Sequence, residues 1–534
     1  MKTDVLILGG GAAGLRAAIE ARRQGVEVLM LSTSKVGYAN NSAISLGGFN
    51  ATEIDVERGD SPTYHYEDTL KGGARLNRPF LVRILTERAW SEVQALEEMG
   101  VLFRKDAQGK YVRYGRGGHS VARRLATPTD NGMALLLPLI RFAQRMNIPM
   151  KNGLRAVRLL KQEQEVCGAL LVDSAGEWHA VSAKSVVLAT GGGGALYPQT
   201  SNVPWATGDG YALAYEAGLT LQDMEFVQFV LRYKREPGMP HRLPSFELLL
   251  IKGATLKNMR GEDLLGGGKG ASSLTRDAIS QVVAKEILQN EGGQDFVYMD
   301  LRTLPEEEEG RQIPNYRQLQ LKVYPAAHFF MGGVRVDKNL GTGIAGLYAA
   351  GEVMGGVHGA NRLGGNALAE TFVFGTLTGS LAAQFAKKTG EKYSSVKEQA
   401  QKAIRELRSR FERPKGGNRI GLEEKLKSLL GYSAGVVRDA QKMTSGLKGL
   451  ASLKEAASSL STREAQEDVR VLTFGHKLLV SEMILQSALR REETRGAHYR
   501  EDYPLPDDKN WRVSICLHQG EDGKMVFSTA PVES

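Results

Sequence analysis

The stretch that decides the fold is Asp4-Val5-Leu6-Ile7-Leu8 followed by Gly9-Gly10-Gly11-Ala12-Ala13-Gly14. The apolar run predicts a buried strand, the glycines a tight turn, and the Ala-rich run to Arg23 a helix. A second apolar strand, Val26–Leu31, comes next. Strand, glycine turn, helix and strand at this spacing predict a dinucleotide-binding unit. The glycines let backbone N–H groups and the helix N-terminus reach a pyrophosphate, where the helix dipole favours negative charge. An NAD site usually places an acidic residue at the end of the second strand. Ser32 stands there instead, which argues against ordinary NAD binding.

Two further strand-to-glycine junctions lie downstream, Ser185–Thr190 into Gly191–Gly194 and Gly346–Ala350 into Gly351-Glu352. Together the three junctions predict one Rossmann-like cofactor domain assembled from discontinuous segments. The 62 glycines among 534 residues exceed the usual share of about 7% and fall in clusters without a repeat. The stretch between the last two junctions reads as an inserted lobe. From about residue 389 the pattern turns helical. The fold class expected is therefore α/β: a discontinuous Rossmann-like dinucleotide-binding domain (1–226 and 325–388), an inserted domain (227–324), a helical domain (389–492) and a C-terminal segment (493–534).

Composition excludes several classes. Two cysteines, Cys167 and Cys516, cannot build a disulfide framework, a four-thiolate zinc site or an all-cysteine iron–sulfur cluster. No metal site is expected, and a reducing compartment is the simplest inference. No cleavable signal is evident at the start. The uncharged run Thr371–Phe385 is shorter than the ~18 apolar residues that suggest a membrane span, so it reads as a buried helix. Net charge is +9, and the stretch Lys387–Lys427, with 13 basic and 6 acidic residues, supplies most of it. Val396, Ala400, Ile404, Leu407 and Phe411 mark that stretch as amphipathic. A solvated basic face is the first reading and a docking face for an acidic partner the second. Nucleic acid is not expected, because aromatic interleaving is missing.

Three further motifs are more specific. They are His328-Phe329-Phe330-Met331-Gly332-Gly333, Ala349-Ala350-Gly351-Glu352, and His358-Gly359-Ala360-Asn361-Arg362-Leu363-Gly364-Gly365-Asn366. Together with Gly117-Gly118-His119-Ser120, Thr207-Gly208-Asp209-Gly210, Arg276-Asp277 and Thr494–Arg500, the chain resembles the succinate dehydrogenase/fumarate reductase flavoproteins, which include L-aspartate oxidase. The resemblance runs from residue 4 to about residue 511.

It implies an FAD-dependent oxidoreductase that passes hydride between flavin and a small dicarboxylate-like acid. By position, Gly9, Gly10, Gly11, Ala12, Ala13 and Gly14 would hold the pyrophosphate. Ser32, Lys35, Asn41, Ser42, Gly47 and Gly48 would wrap adenosine and flavin. Asp209, Glu352, Asn366, Ala367 and Leu368 would complete the site. Asn41 stands where several members carry a flavin-linked His, so non-covalent FAD is expected. His328 and Arg362 match residues that hold a substrate carboxylate, and Arg276 matches the capping-lobe Arg that moves the proton. Arginine is an unusual acid, with a pKa above ~12, and suits only a strongly basic, carbanion-like transition state.

The chain also departs from the family. Val230-Leu231-Arg232 replaces the segment carrying a second substrate His. Glu247 is kept, but Phe246 stands for Thr, and Leu250-Ile251-Lys252 stands for Arg-Gly-Glu. Arg116 replaces an aromatic residue or the Glu of the aspartate oxidase. These changes point to an altered far wall of the pocket. Arg116, Glu247, Lys252 and His241, or another residue of the Arg232–Arg242 loop, are the candidates there. Electrons would pass to a separate partner protein such as an iron–sulfur subunit. The chain itself is expected in the cytoplasm, free or held at the membrane's cytoplasmic face by that partner. The alternative is a flavin electron-transfer subunit with a repurposed pocket.

Overall fold

The computed structural model describes residues 1–532 except 56, 116, 238, 240–245, 267–274, 291, 305–318, 391–392, 410–418 and 461–464. Strand β1 (Lys2–Leu8) lies between β2 (Val28–Ser32) and the strand Trp178–Leu188, parallel to both. Met150–Asn152 extends the sheet beyond β2, and Leu347–Ala349 pairs parallel with the end of Trp178–Leu188. The antiparallel strands Leu154–Gln162 and Glu165–Asp173 complete it. Val5, Leu6 and Ile7 are fully buried, as expected for a strand covered on both faces. The register sets Leu8 beside Leu31 and Leu188, and Leu188 beside Ala349. All three glycine-rich junctions therefore open at one edge.

Helix α1 (Ala12–Arg23) packs against the long buried helix Asn366–Lys388. A Cβ at Gly379 would lie 2.3 Å from the Ala17 carbonyl oxygen, so only glycine permits this approach. The Thr371–Phe385 run thus packs inside the protein. Among the described residues, no helix is long and apolar enough to cross a membrane.

The insert folds around an antiparallel sheet in the order Val227–Tyr233, Gln320–Phe330, Val297–Asp300, Thr255–Lys257. Its own core includes Leu250, Leu256, Val283, Met299 and Val323. Strand Gln320–Phe330 runs without a break through the position where the sequence ends the insert, at residue 324. Downstream, Tyr393–Arg408 lies on the main sheet, burying Val396, Ala400 and Leu407 against Cys167 and Leu170. Ile404 is half-buried, and Phe411 lies outside the described residues. The helices Arg419–Ser433, Ala440–Ser458 and Ala465–Arg490 follow, and strand Val513–Gln519 returns to pair with Leu221–Gln222.

A buried guanidinium ties these parts together. Arg491 Nε donates to Glu225 Oε1 at 2.7 Å and Nη1 to Glu493 Oε1 at 3.1 Å, while Nη2 lies 3.8 Å from Asp223 Oδ1. Further bonds reach the carbonyls of Trp511 and Val513. The Arg491→Met protein leaves these buried carboxylates without their shared cation, and is expected to lose about 3–5 kcal/mol of stability. Chemical denaturation of wild type and variant checks this; an unchanged midpoint would contradict it.

Candidate active site

At the edge where the strands end, a single continuous cavity of about 800 Å³ runs from Gly9–Ala13 to Arg276, His328 and Arg362. Its size lies in the upper part of the ~300–1,000 Å³ range of ligand pockets. Gly9 has φ +130°, and a Cβ there would lie 2.0 Å from the Ala189 oxygen. Gly14 faces away from the cavity lining; its own Cβ would strike the Gly9 oxygen at 2.1 Å. Its smallness lets helix and turn close on each other. The N-cap of α1 is Gly11, which supplies no side-chain cap, and the first turn holds no acidic residue. The Ala12 N–H donates to Ser42 Oγ at 3.3 Å. The helix N-terminus thus opens on the cavity as an anion site.

Ser32, Asn41, Ser42, Gly47 and Gly48 line the cavity. Asn41 uses both ends of its amide: Nδ2 donates to Asn202 Oδ1 at 2.6 Å, and Oδ1 accepts from the Val203 N–H at 3.0 Å. Lys35 does not line it; its Nζ sits 4.3 Å from the centre of the Tyr38 ring. Asn366 also stands behind the wall, where Asn50, His65 and Thr69 bind its amide. Ala367 and Leu368 do line it, at a second helix N-terminus without a side-chain cap.

Glu352 accepts from the Phe330 N–H at 3.0 Å, and burial raises its carboxyl to about 7. Asp209 pairs with Arg155, and both face the cavity. Burial pushes the Asp209 carboxyl up, but Arg155, His476 and Lys477 outweigh that and bring it to about 2. Thr190 also lines the cavity, and its buried Oγ1 has no partner among the described residues.

At the far end, His328 occupies a register irregularity. Gln228 pairs with Phe329 and Phe229 with Ala327, so the ladder skips His328. Such a bulge re-aims a side chain. The His328 carbonyl accepts from Asn202 Nδ2 at 2.8 Å, and its Nδ1 lies 2.7 Å from Ser201 Oγ. Burial first, and then Arg362, Arg276 and Arg232, hold the imidazole well below its ordinary pKa, so it is neutral.

Arg362 is 4% exposed. Its Nη2 donates to Gln228 Oε1 at 2.9 Å, while Gln228 Nε2 donates back to the Arg362 carbonyl at 2.9 Å and to Asn361 Oδ1 at 2.7 Å. The guanidinium lies over Phe329, 4.6 Å from the ring centre, yet its buried Nε has no partner among the described residues. Burial and Arg276 lower the group to about 9. Arg276 opens the helix Arg276–Gln289, the positive end of the dipole, where a cation is disfavoured. Glu247 compensates through two contacts, at 2.5 and 3.0 Å.

Of the remaining far-wall candidates, Lys252 does not line the cavity. Arg116 and His241 lie outside the described residues. Among the described residues of the insert, Val230, Leu231, Arg232, Tyr233 and Phe246 reach it beside Glu247 and Arg276. The sequence reading gave no role to Gln228, Ser201, Asn202 or Arg155. Gln228 already stood beside the altered segment, but only the bulge reveals why a glutamine is needed there.

Residues 4–368 match the FAD binding domain family, and residues 423–534 match the fumarate reductase flavoprotein C-terminal family. The chain is 34% identical to a subunit of the fumarate reductase (CoM/CoB) of Methanothermobacter marburgensis, over 98% of both chains. It is 32% identical to L-aspartate oxidase of a Nostoc species, covering 97% of this chain and 93% of the relative. Quinol fumarate reductase FrdA of E. coli superposes with a TM-score of 0.91 at 27% identity, over 100% of this chain and 97% of the other. The chain belongs to the succinate dehydrogenase/fumarate reductase flavoprotein family. It is an FAD-dependent oxidoreductase.

The cavity wall is also tied to the helical region. His476 lies 3.7 Å from Asp209 and 3.8 Å from Glu216. Burial lowers its pKa, but the two carboxylates outweigh burial and bring it to about 9, above the ordinary 6.5. A raised histidine pKa contributes stability that is full below about pH 6.5 and is lost as pH rises through about 9. The melting temperature of wild type should therefore fall across that window more than that of His476→Gln. Parallel pH profiles of the two proteins would contradict the pairing.

Proposed function

We propose that the cavity holds FAD non-covalently and that the protein moves hydride between it and the carbon–carbon bond of a dicarboxylate-like organic acid. The observation that carries this reading is the far end of the cavity. There Arg362, the neutral His328 and the Glu247-paired Arg276 line one space. The residues suit the cofactor: the open N-terminus of α1 accepts a pyrophosphate, and the side-chain-free Gly9–Gly11 turn lets it approach the backbone. When bound, FAD supplies a two-electron hydride donor or acceptor.

Arg362 and His328 bind and orient a carboxylate, because charge-assisted and neutral N–H donors converge on it. Gln228 and Phe329 hold the Arg362 fork in place, so little reorganisation is needed as charge develops on the substrate. Arg276 moves the proton at the carbon next to that carboxylate, and Glu247 orients its guanidinium. Leu231, Tyr233 and Phe246 keep bulk water from this end.

Electrons leave to, or arrive from, a separate protein. Two cysteines leave this chain without a thiolate set for its own cluster, and the Methanothermobacter relative is named as a subunit. An iron–sulfur protein that brings the pair to the cytoplasmic membrane surface fits both facts. Retention of Arg276, His328 and Arg362 together opposes the reading in which the pocket is idle.

Anaerobic photoreduction of the purified flavoprotein, followed by a screen of unsaturated acids, tests the proposal. Fumarate or a close analogue should reoxidise the flavin. Failure of every acid, with electron exchange to a partner intact, would overturn it. Arg276→Ala should keep its FAD and lose turnover by at least about a hundredfold. An undiminished rate would remove Arg276 from the chemistry.

A further inference from the structure

We propose that the loop 495–499 is the stop on which the insert rests, and that Gln281 and Lys285 are the positioning residues which, through that loop, set Arg276 against Arg362. The inference rests on the functional reading above, in which those two arginines act on one substrate, and adds what fixes the gap between them.

Arg276 and Arg362 belong to different parts of the protein. Arg276 opens the helix Arg276–Gln289 of the insert, whereas Arg362 precedes the helix Asn366–Lys388 of the main domain. A small second cavity is lined by Glu247, Thr275 and Arg276 from the insert and by Asn361, Arg362 and Leu363 from the main domain. The chemistry is sensitive to such a gap, because a misplacement of about 1 Å can cost about a hundredfold in rate.

The motif 494–500 supplies the spacer, and it is fixed on the Arg362 side. Arg495 donates to the Glu493 carboxylate through Nε and Nη2, each at 2.7 Å. His498 Nδ1 lies 2.8 Å from Arg438 Nη1. The Ala497 N–H donates at 3.0 Å to the carbonyl of Ala360, two residues before Arg362. Gly496 has φ +53°, and a Cβ there would lie 2.5 Å from that same oxygen. Only glycine lets the loop lie this close to the Arg362 segment.

From the insert, Gln281 Nε2 donates to the Gly496 carbonyl at 3.1 Å, and Lys285 Nζ lies 4.2 Å from the centre of the Tyr499 ring. The two residues are four apart, so both project from one face of the helix. Arg276 begins the same rigid helix, roughly 7.5 Å along the axis from Gln281. Ser280 Oγ donates to the Phe229 carbonyl at 3.0 Å, so the helix is tied to the insert's own sheet. One neutral hydrogen bond and one cation over a ring select a resting position, yet each releases at modest cost.

The test compares wild type with Gln281→Ala, Lys285→Ala and the double variant, by backbone hydrogen exchange and by fumarate reduction with the photoreduced holoenzyme. In the double variant the amides of Arg276–Gln289 should exchange faster on the order of tenfold, while those of Lys2–Leu8 keep wild-type protection. Its kcat for fumarate should fall on the order of tenfold, and each single variant should lose less. Reoxidation of the same flavin by ferricyanide, which needs no proton from Arg276, should keep its wild-type rate. Lys285→Arg should restore what Lys285→Ala loses, because a guanidinium also lies well over an aromatic ring.

Unchanged exchange across Arg276–Gln289 in the double variant would show that the insert does not rest on the loop. Faster exchange with a wild-type kcat would show that the contact does not position Arg276. An equal loss of fumarate and ferricyanide turnover would mark a general disturbance of the protein. Each of these three results overturns the inference and leaves the functional reading standing. A wild type that reduces no unsaturated acid overturns that reading, and the positioning role with it.

Discussion

Everything at the cavity depends on one register: Leu8, Leu31, Leu188 and Ala349 end side by side in parallel strands. A parallel strand must be regained by a crossover, and each crossover here starts from the same edge. The Gly9–Gly14 turn, Ser32, the Thr190–Gly194 junction and Glu352 are therefore neighbours, although more than 300 residues separate the first from the last. A one-residue slip in β1 would turn Val5, Leu6 and Ile7 to the wrong faces and move Gly9 off the Ala189 carbonyl. Because Gly9 has no side chain, that carbonyl can approach so closely. The chain length spent on this domain buys one surface, long enough for an extended cofactor.

The second constraint is charge placed without a full set of protein partners. Arg491 shows the closed case, with carboxylates and carbonyls meeting its buried donors. Arg362 shows the open case, equally buried but with one donor unmet. Arg276 is a third case, its charge met by the Glu247 carboxylate.

Much of this was legible in the sequence because it rests on local rules. Gly9–Gly14 after an apolar strand needs no tertiary information, and the motif around Arg362 is specific enough to name the family. Long-range facts were less accessible. Lys35 is near the cofactor turn in sequence, but its side chain settles on Tyr38 rather than in the cavity. Asn366 belongs to the specific motif, yet its amide supports Asn50, His65 and Thr69 behind the wall. Lys252 is a candidate for the far wall, but it falls in the turn after the helix Phe246–Ile251 and does not line the cavity. Gln228 and Ser201 act only through a bulge that no periodicity announces. Such residues become visible when strand pairing is known, because their role is to position a neighbour.

The unbroken strand Gln320–Phe330 has a mechanical meaning. At one end it is a strand of the insert's sheet, and at the other it delivers His328 and Phe329 to the cavity wall. Were the insert to swing, this strand and its partner Val227–Tyr233 would act as the lever, and the irregular pairing at His328 would be its softest point. The fulcrum then lies at His328, where displacement is smallest, while Glu247 and Arg276 ride on the moving arm. The cavity would then open past that arm while Ser201 and Asn202 keep His328 in place.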